Sequence, residues 1–451
     1  MPTVPQMRRV VITGMGAISP LGVGAETLWQ GLREGRSAIG PLRHPDAYRL
    51  RVKIAAQVPD SFDPTSNIDE RTLIMLDRTS EFALHAAREA IAQSGLDFSQ
   101  DELGVRTAVV VGTGVGGENT QDEQSKRLYG DNSPRAHPLT IVRVMTNASA
   151  SHISIAYGLR GPTFAIASAC ASANHAIIQA AQMIRYGMAD VAVTGGTEAC
   201  LTYGALRSWE AMRVLADDTC RPFSINRRGL VLGEGAGIFV LESMEHAQAR
   251  GAVILAELAG VGMTADATDI VMPNATGAAA AMTQALNDAG LAPQDVDYIN
   301  AHGTGTQAND STETRAIRLA FGSHADRLAV SSTKSMHGHA LGASGALAKI
   351  DNCLGLCVFA RCTGADYQLV VRAFPAGVGI VEDPASGAAN GLIAAWIAMR
   401  EPDGPLARGY RVSQGREMGH DASITIRIDA DRTVWVGGRT QTIADHMLTW
   451  P

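Results

Sequence analysis

The sequence predicts an α/β protein with layered, buried sheets, and three observations support that prediction. Strand patterns and helical patterns alternate along most of the chain. Several strands are short, continuous apolar runs, such as Ala108 to Val111 and Ile238 to Leu241, which is typical of strands covered on both faces. A helix-to-strand pattern also occurs twice. Together these features favour two related α/β halves.

The predicted elements follow in chain order. Val10 to Thr13 forms the first strand. Ser80 caps a helix that stops at Gly95. Later strands are predicted at Ala108 to Val111, Val191 to Thr194, Ile238 to Leu241, Val296 to Ile299 and Leu328 to Val330.

A faint internal repeat agrees with this layout. Residues 90–96 form a helix that leads to the strand at 108–111 and to Gly112-Thr113-Gly114. Residues 285–291 form a helix that leads to the strand at 296–299 and to Gly303-Thr304-Gly305. A duplicated half would leave this kind of pairing.

Cys170 lies where a strand end turns directly into a helix that runs through Ile177, Ile178, Ala181 and Met183. Unpaired N–H groups at a helix N-terminus carry partial positive charge, which favours the nucleophilic thiolate. The small neighbouring residues leave the sulfur reachable. Plain packing of a buried thiol would give the same pattern. The cysteine alone therefore does not decide between a nucleophile and a core residue.

Two later segments strengthen the nucleophile interpretation. His302 lies in Asn300-Ala301-His302-Gly303-Thr304-Gly305-Thr306, after a short strand. Lys334 and His339 lie in Ser331-Ser332-Thr333-Lys334-Ser335-Met336-His337-Gly338-His339, after another. Strand ends are where α/β folds place their chemistry. A single histidine there is usually structural, but two with a lysine and a helix-start cysteine predict one shared site.

These segments resemble the β-ketoacyl-acyl carrier protein synthases of the thiolase superfamily, particularly the elongating type II enzymes. The resemblance covers about residues 7 to 347 and implies a thiolase-like layered fold of two halves. Further matches are Arg9-Val10-Val11-Ile12-Thr13-Gly14-Met15-Gly16, Ser19-Pro20-Leu21-Gly22, Gly161-Pro162, Arg221-Pro222-Phe223 and Gly233-Glu234-Gly235-Ala236.

The resemblance implies a decarboxylative Claisen condensation in fatty acid or polyketide-type chain elongation. Cys170 would take the acyl group from a carrier protein as a thioester. His302 and His339 would polarise the carbonyl of malonyl-carrier protein, and loss of carbon dioxide would give the carbanion that attacks the acyl-cysteine. Two neutral imidazoles suit a charge that develops on oxygen in the transition state.

The same resemblance assigns roles to four further residues. Lys334 would contribute positive charge, and Glu313 would orient or pair with it. Thr304 and Thr306 would lie near the malonyl carboxylate. For Glu313 and the two threonines, helix capping or binding to local backbone is an equally good interpretation.

Composition narrows the class of protein. The length of 451 residues suggests two or three domains, and 46% apolar with 18% charged residues suits an enzyme. A net charge of −7 argues against nucleic acid as a partner. No window reaches 18 uninterrupted apolar residues, and Met7-Arg8-Arg9 is not followed by a convincing signal peptide. The six cysteines show no metal pattern, so we expect no metal, no cofactor and a cytoplasmic location.

The resemblance also implies partners. These are an acyl carrier protein, in acyl and malonyl forms, and a second copy of the chain in a homodimer. Carrier proteins of the resembling systems are acidic, so docking would need a local basic patch. Arg71, Arg78, Lys126 and Arg127 are available, although solvated surface explains each of them equally well.

After Leu347 the synthase pattern stops. The resembling enzymes end in two strands and a glycine-rich Phe loop that gates the acyl pocket and supplies an oxyanion N–H, and neither occurs here. Residues from about 350 resemble instead the C-terminal half of the phenazine-biosynthesis isomerase family, of diaminopimelate epimerase fold, notably around Asp383 to Gly391. That family places its catalytic Glu in its other half, so this segment should not isomerise a substrate.

These patterns predict three domains. Residues 1–255 form the thiolase-like half with the nucleophile, 256–348 an incomplete second half, and 349–451 a β-rich α+β half-domain. The abrupt change near 348–352 suggests a fusion, either natural or an error in the sequence. The missing loop would weaken condensation, since losing one oxyanion donor costs about 100- to 1000-fold. Two alternatives stay open: a non-catalytic dimer partner of an active synthase, and an inactive fusion of a truncated synthase with an isomerase fragment.

Overall fold

The computed structural model describes residues 7–66, 68–99, 101–350, 356–361, 366–374, 390, 393–394, 397–398, 403–414, 422–430 and 433–438. The chain divides into two units, Met1–Asp351 and Asn352–Pro451. Across the described residues, no helix has the length and apolar character needed to cross a membrane.

The first unit is built on one seven-stranded sheet. The strands of this unit are β1 (Val10–Ser19), β2 (Gly22–Val23), β3 (Ile39–Pro41), β4 (Ile54–Ala56), β5 (Thr107–Gly112), β6 (Thr163–Ile166), β7 (Val191–Glu198), β8 (Gly235–Ser243), β9 (Ala256–Glu257), β10 (Tyr298–Asn300) and β11 (Ala329–Ser331). The sheet order is β2-β1-β8-β7-β5-β6, with β9 also pairing with β1. β5 runs parallel to β6 and β7, whereas β8 is antiparallel to β1 and β7.

Helices cover both faces of this sheet. They are α1 (Ala25–Arg33), α2 (Glu70–Leu73), α3 (Arg78–Ser94), α4 (Asp101–Val105), α5 (Glu118–Ser125), α6 (Thr140–Val144), α7 (Ala148–Tyr157), α8 (Ser172–Arg185), α9 (Tyr203–Ala211), α10 (Met244–Ala249), α11 (Ala275–Ala289), α12 (Gln307–Phe321), α13 (Lys334–His337) and α14 (Ser344–Leu347). Val109 and Val111 of β5 pack in one core with Phe82 of α3. Val110 packs in another core with Ile177 of α8. This period of two gives the layered α/β arrangement that the sequence predicts.

Most predicted elements of this unit are confirmed, and one cap is wrong. Helix α3 ends at Gly95, whose φ of 69° is left-handed, as expected for a terminating glycine. The N-cap is Asp77 rather than Ser80. Its carboxylate accepts from the backbone N–H of Thr79, whereas Ser80 lies inside the helix and is buried. An aspartate three residues earlier therefore outcompetes the serine.

The second half of this unit has a much smaller sheet of its own. In the described residues, β10 and β11 form a two-stranded parallel sheet. Helices α11 and α12 contribute Leu286, Ile317 and Phe321 to the core beneath it. Helix α11 ends at Gly290 with a φ of 66°, the same termination as α3. The two helix-to-strand repeats of the sequence thus share their stop signal.

The second unit contains a five-stranded mixed sheet. Its strands, in sheet order, are β12 (Leu356–Arg361), β13 (Leu369–Phe374), β14 (Gly409–Gln414), β15 (Ala422–Ile428) and β16 (Val434–Gly438). β13 and β14 are parallel, and the other neighbours are antiparallel. Ile424, Ile426 and Ile428 are buried and alternate with exposed residues, as predicted, whereas Val436 is 37% exposed. The Asp383 to Gly391 motif lies largely outside the described residues.

Candidate active site

Cys170 lies between the end of β6 and the start of α8. A short 3₁₀ turn, Ala169–Ala171, joins the two elements, and Ala169 has a left-handed φ of 51°. The hydroxyl of Ser172 donates to the carbonyl of Ala169 at 2.7 Å and accepts from the N–H of Ser168 at 2.9 Å, which fixes this strained turn. A Cβ at Gly112 would lie 2.3 Å from the carbonyl carbon of Ser172, so glycine is required for α8 to approach β5.

His339 contacts the sulfur directly. Its Nε2 lies 3.1 Å from Sγ of Cys170. The backbone N–H of Leu341, which can only donate, lies 3.1 Å from Nδ1 of the same ring, and the hydroxyl of Ser344 lies 2.8 Å from that atom. Because Nδ1 accepts the bond from this N–H, the ring proton of a neutral imidazole lies on Nε2 and is donated to the sulfur. The backbone of His339 is held by Val231 and Gly233, at 2.7 and 2.9 Å.

His302 follows β10 and lies against the second histidine. The two rings meet edge to face, with centroids 5.3 Å apart and planes at 86°. The carboxylate of Glu313 accepts from the N–H of His302 at 2.7 Å and from that of Gly303 at 2.8 Å. Nζ of Lys334 donates to the carbonyl oxygen of His302 at 2.6 Å. The sulfur and both imidazoles, distant in sequence, therefore share one site.

The surroundings keep both imidazoles neutral. Burial, assisted by the Lys334 charge, lowers the pKa of His302 to about 3 and that of His339 well below its usual value. Burial also lowers the pKa of Lys334, although the nearby Glu313 opposes that shift. Each ring can then donate one N–H at neutral pH, which is the arrangement expected from the sequence.

Burial outweighs the helix start in setting the pKa of the sulfur. The sequence predicted that the N-terminus of α8 would favour the thiolate. Burial raises the pKa of Cys170, and the positive charge of Lys334 and a backbone N–H at Cys170 offset this only partly. A desolvated sulfur loses hydration that a half-exposed helix-start thiol would keep. A hydrogen bond from the neighbouring His339 ring would add to the stabilisation of the anion.

The three other predicted residues hold the loop that carries His302. Thr306 is the N-cap of α12, and its hydroxyl accepts from the N–H of Asn309 at 3.3 Å. The hydroxyls of Thr304 and Thr306 lie 2.8 Å apart. Glu313 binds the backbone N–H groups described above. These contacts are the helix capping and backbone binding that the sequence left open as an alternative. A direct role at the malonyl carboxylate stays a prediction for Thr304 and Thr306.

The site also contains the one metal-like cluster of the described residues. The ligand atoms of Cys170, His302 and His339 all lie within 4.8 Å of one another. The Leu341 contact leaves the Nε2 of His339 protonated, so that atom offers a hydrogen rather than a lone pair to this space. The geometry suits hydrogen-bond donation to a reacting group better than metal ligation.

Glu198 is a site residue that sequence reasoning missed. It is 1% exposed at the end of β7. Its carboxylate accepts from the backbone N–H of Gly114 at 2.6 Å and of Gly342 at 2.9 Å. It thereby ties the loop after β5 to the turn that follows His339. The signal was a carboxylate at the end of the buried strand that begins at Val191, since such a group needs several donors.

A cavity of about 450 Å³ opens at Cys170. Ala169, Leu341, Val115 and Trp209 contribute apolar surface to its wall. The cavity lies beside the sulfur, and neither His302 nor His339 is among the residues that line it.

Comparisons with known proteins give a consistent result. Residues 7–247 match the family described as Beta-ketoacyl synthase, N-terminal domain, and residues 255–357 match Beta-ketoacyl synthase, C-terminal domain. The chain belongs to the β-ketoacyl synthase family. Residues 358–451 lie outside both matches, and the second match continues past the change of pattern at 348–352.

Individual relatives agree with this assignment. The chain is 51% identical to Nodulation protein E of Rhizobium sp. (strain N33) over 344 residues, which is 76% of this chain and 85% of that protein. It is 40% identical to 3-oxoacyl-[acyl-carrier-protein] synthase 2 of Staphylococcus aureus (strain N315) over 358 residues, covering 78% and 86%.

A solved structure shows the same fold. It is described as a type II PKS acyl-carrier protein in complex with its ketosynthase bound to the hexaketide. The TM-score is 0.67 and the identity is 31%, over 76% of this chain and 85% of that one. The synthase described here therefore has the thiolase-like fold predicted from its sequence, and it is an acyltransferase-class condensing enzyme.

Proposed function

We propose that this β-ketoacyl synthase elongates acyl chains on an acyl carrier protein with Cys170 as its nucleophile. One observation carries the proposal: Sγ of Cys170 and Nε2 of His339 lie 3.1 Å apart, beside the ring of His302. Family membership supports the reaction class, and this contact supports the assignment of residues. The reaction is a decarboxylative Claisen condensation with malonyl-acyl carrier protein.

The first step transfers the acyl group. Sγ of Cys170 bonds to the acyl carbonyl carbon, the thioester bond to the carrier breaks, and the thiol proton leaves with the carrier sulfur. The N–H of His339 stabilises negative charge on Sγ before the bond forms. The partial positive charge at the start of α8 adds to this. Holding the acyl group as a thioester divides one difficult reaction into two easier steps.

The second step uses both histidines. After acylation the Nε2–H of His339 is released from the sulfur and can donate, with the neutral ring of His302, to the malonyl thioester oxygen. Cleavage of the bond to the carboxylate releases carbon dioxide and leaves an enolate, which forms the new carbon–carbon bond to the acyl carbonyl and expels Sγ. Donors placed where charge develops lower the barrier without reorganising.

Lys334 and Glu313 act as positioning residues in this scheme. Lys334 binds the carbonyl of His302, and Glu313 binds the N–H of the same residue. Together they fix the peptide on both sides of the ring. Burial is the main cause of the low pKa of His302 and His339, and the Lys334 charge lowers both further. Neither ring therefore becomes an imidazolium, which has no ring nitrogen left to accept a hydrogen bond.

The test is acylation followed by intact-mass analysis. Incubation with an acyl-loaded carrier protein should add one acyl mass to the wild-type chain and none to Cys170→Ala. Carbon dioxide release from malonyl-carrier protein, measured beside it, reports the second step. An adduct that persists in Cys170→Ala, or no adduct on the wild type, contradicts the proposal.

A non-catalytic dimer partner of an active synthase is the second candidate. Such partners usually lack the nucleophile, so the complete set of Cys170, His302 and His339 favours catalysis. An inactive fusion is the third, and its support is the absence of the family's glycine-rich Phe loop from the sequence after Leu347. Failure of both acylation and carbon dioxide release would favour either of these over the leading proposal.

The partners are proposed from the fold. Arg71, Lys126 and Arg127 are exposed and suit an acidic carrier protein, whereas Arg78 is engaged by Glu234 at 2.8 Å. For a homodimer, β6 is one edge strand of the main sheet in the part of the chain that the structure describes. An unpaired edge is a template for a second copy. Sedimentation showing a monomer at micromolar concentration would contradict the dimer.

For the second unit we propose a half-domain of diaminopimelate epimerase type without catalytic activity. Its support is the parallel pairing of β13 with β14, with helical residues 390, 393, 394, 397 and 398 between them in the chain, and a shared core of Ile393, Ile397 and Val412. Sequencing the source DNA across residues 348–352 tests the fusion. A longer synthase reading frame there would contradict it.

A further inference from the structure

The cavity beside Cys170 has one polar wall. Helix α5 contributes Glu118, Gln121, Asp122 and Ser125 to its lining. These residues are spaced i, i+3, i+4 and i+7, so they form a single stripe along about 10 Å of helix. A stripe with this spacing is normally apolar where a helix covers an interior space. Here all four side chains carry hydrogen-bonding groups.

Within the stripe, Gln121 donates to the hydroxyl of Ser125 at 3.3 Å, and the two carboxyl groups have little hydrogen bonding. Among the described residues, the Glu118 carboxyl has one contact, from the hydroxyl of Thr202 at 3.5 Å. Asp122 accepts from the N–H of Gly204 at 3.3 Å. Two carboxyl groups can accept about eight hydrogen bonds between them. No Lys, Arg or His is among the described residues that line the cavity, so no charged side chain there pairs with them.

The protonation of Glu118 adds to this picture. Burial raises its pKa to about 7, and Glu198 and Asp122 contribute to the shift. At neutral pH the group is therefore close to half protonated. A protonated carboxyl can donate as well as accept, so Glu118 can bind either a hydrogen-bond donor or a hydrogen-bond acceptor on a ligand.

We propose that this stripe makes the enzyme prefer acyl chains that carry a hydroxyl or amino group over plain alkyl chains, and that Glu118 contributes most to this preference. The inference rests on the proposed function, because the cavity is an acyl site only if Cys170 is acylated. An alkyl chain would remove water from both carboxyl groups without replacing its hydrogen bonds. A chain with a hydrogen-bond donor beside α5 replaces them.

The experiment measures acylation of the full-length enzyme by N-acetylcysteamine thioesters, which need no carrier protein. Chains from hexanoyl to dodecanoyl are compared in three forms: alkyl, ω-hydroxy and ω-amino. At the best length, a polar form should acylate Cys170 at least about tenfold faster than the alkyl form, since one unpaired buried polar group costs about 1–3 kcal/mol. Equal rates at every length would overturn the inference.

Variants locate the preference. Glu118→Leu should reduce the polar-to-alkyl ratio by about tenfold, and Glu118→Gln should lower the preference for the amino form more than for the hydroxyl form. The readout is the ratio of the polar to the alkyl acylation rate within each variant. A general loss of activity or of folded protein lowers both rates equally and does not change this ratio. Glu123→Gln, on the exposed side of α5, is the matched control and should keep the wild-type ratio. A ratio unchanged in Glu118→Leu would contradict the assignment.

An acetyl thioester separates the two proposals. It is too short to reach along α5 and reports only whether Cys170 accepts an acyl group. If acetyl transfer fails, the proposed function and this inference fall together. If acetyl transfer is normal and no chain preference is found, the inference alone falls.

Discussion

The two halves of the synthase unit supply one site but are built differently. In the first half, every residue of β5, β7 and β8 is buried. In the second half, no residue of β10 or β11 is fully buried. Cys170 follows β6, an edge strand of the wide sheet, but α8 packs directly on the buried strand β5 beside it. His302 instead follows a strand of a sheet that has only two strands in the described residues.

This difference shows how each group is held. Packing fixes the turn around Cys170, where α8 lies directly on β5. His302 depends on two charge-assisted hydrogen bonds, from its N–H to Glu313 and from Lys334 to its carbonyl. His339 belongs to the second half in sequence, but Val231 and Gly233 of the first half bind its backbone. The two histidines should therefore respond differently to substitution.

The largest expected effect separates the two histidines. His339→Asn should slow both acylation of Cys170 and carbon dioxide release, because this ring contacts the sulfur and faces the second substrate. His302→Asn should slow carbon dioxide release alone. We expect losses of about 100- to 1000-fold, as for one oxyanion donor.

The measurement is intact-mass acylation beside carbon dioxide release for both variants. Equal losses in both steps for both variants would mean that the two rings act as one unit. That outcome would remove the distinction between a sulfur-contacting and a malonyl-facing histidine.

Much of this site could be predicted from sequence because its residues follow strand ends. Cys170, His302 and His339 could be grouped, and the structure brings them together. Glu198 could not, since its four donors come from two distant segments, 113–115 and 342, that meet only in the folded chain. The pKa of Cys170 was also missed, because helix charge is visible in sequence but the depth of burial is not.

The next prediction concerns acid. His337 is fully buried, and burial with the Lys334 charge lowers its pKa to about 4 in the folded chain. An unfolded histidine has a pKa near about 6.5, so between these values the unfolded chain binds the extra proton. The contribution of His337 to the free energy of unfolding should then be constant above about pH 6.5. It should decrease by up to about 3 kcal/mol as the pH drops toward about 4.

Urea unfolding at a series of pH values measures this slope. His337→Asn should be less stable than wild type at neutral pH but should lose less on acidification. If the variant loses as much stability as wild type, the acid sensitivity lies elsewhere, for example in the rings of His302 and His339.

The smallest effect compares the packing of the two halves directly. Val193 in β7 is fully buried between sheet and helix, and Val330 in β11 is 38% exposed. Val193→Ala removes buried methyl groups and leaves a cavity, so it should lower the free energy of unfolding by about 2 kcal/mol. Val330→Ala should change it by less than about 0.5 kcal/mol.

Urea midpoints for the two alanine variants provide the measurement, and the chemical change is identical in both. Equal losses would show that the small sheet of the second half packs as tightly as the large one. His302 would then be held by its strand, and the bonds from Glu313 and Lys334 would add little to its position. A large loss at Val193 with little at Val330 instead leaves those two polar contacts as the support of the histidine.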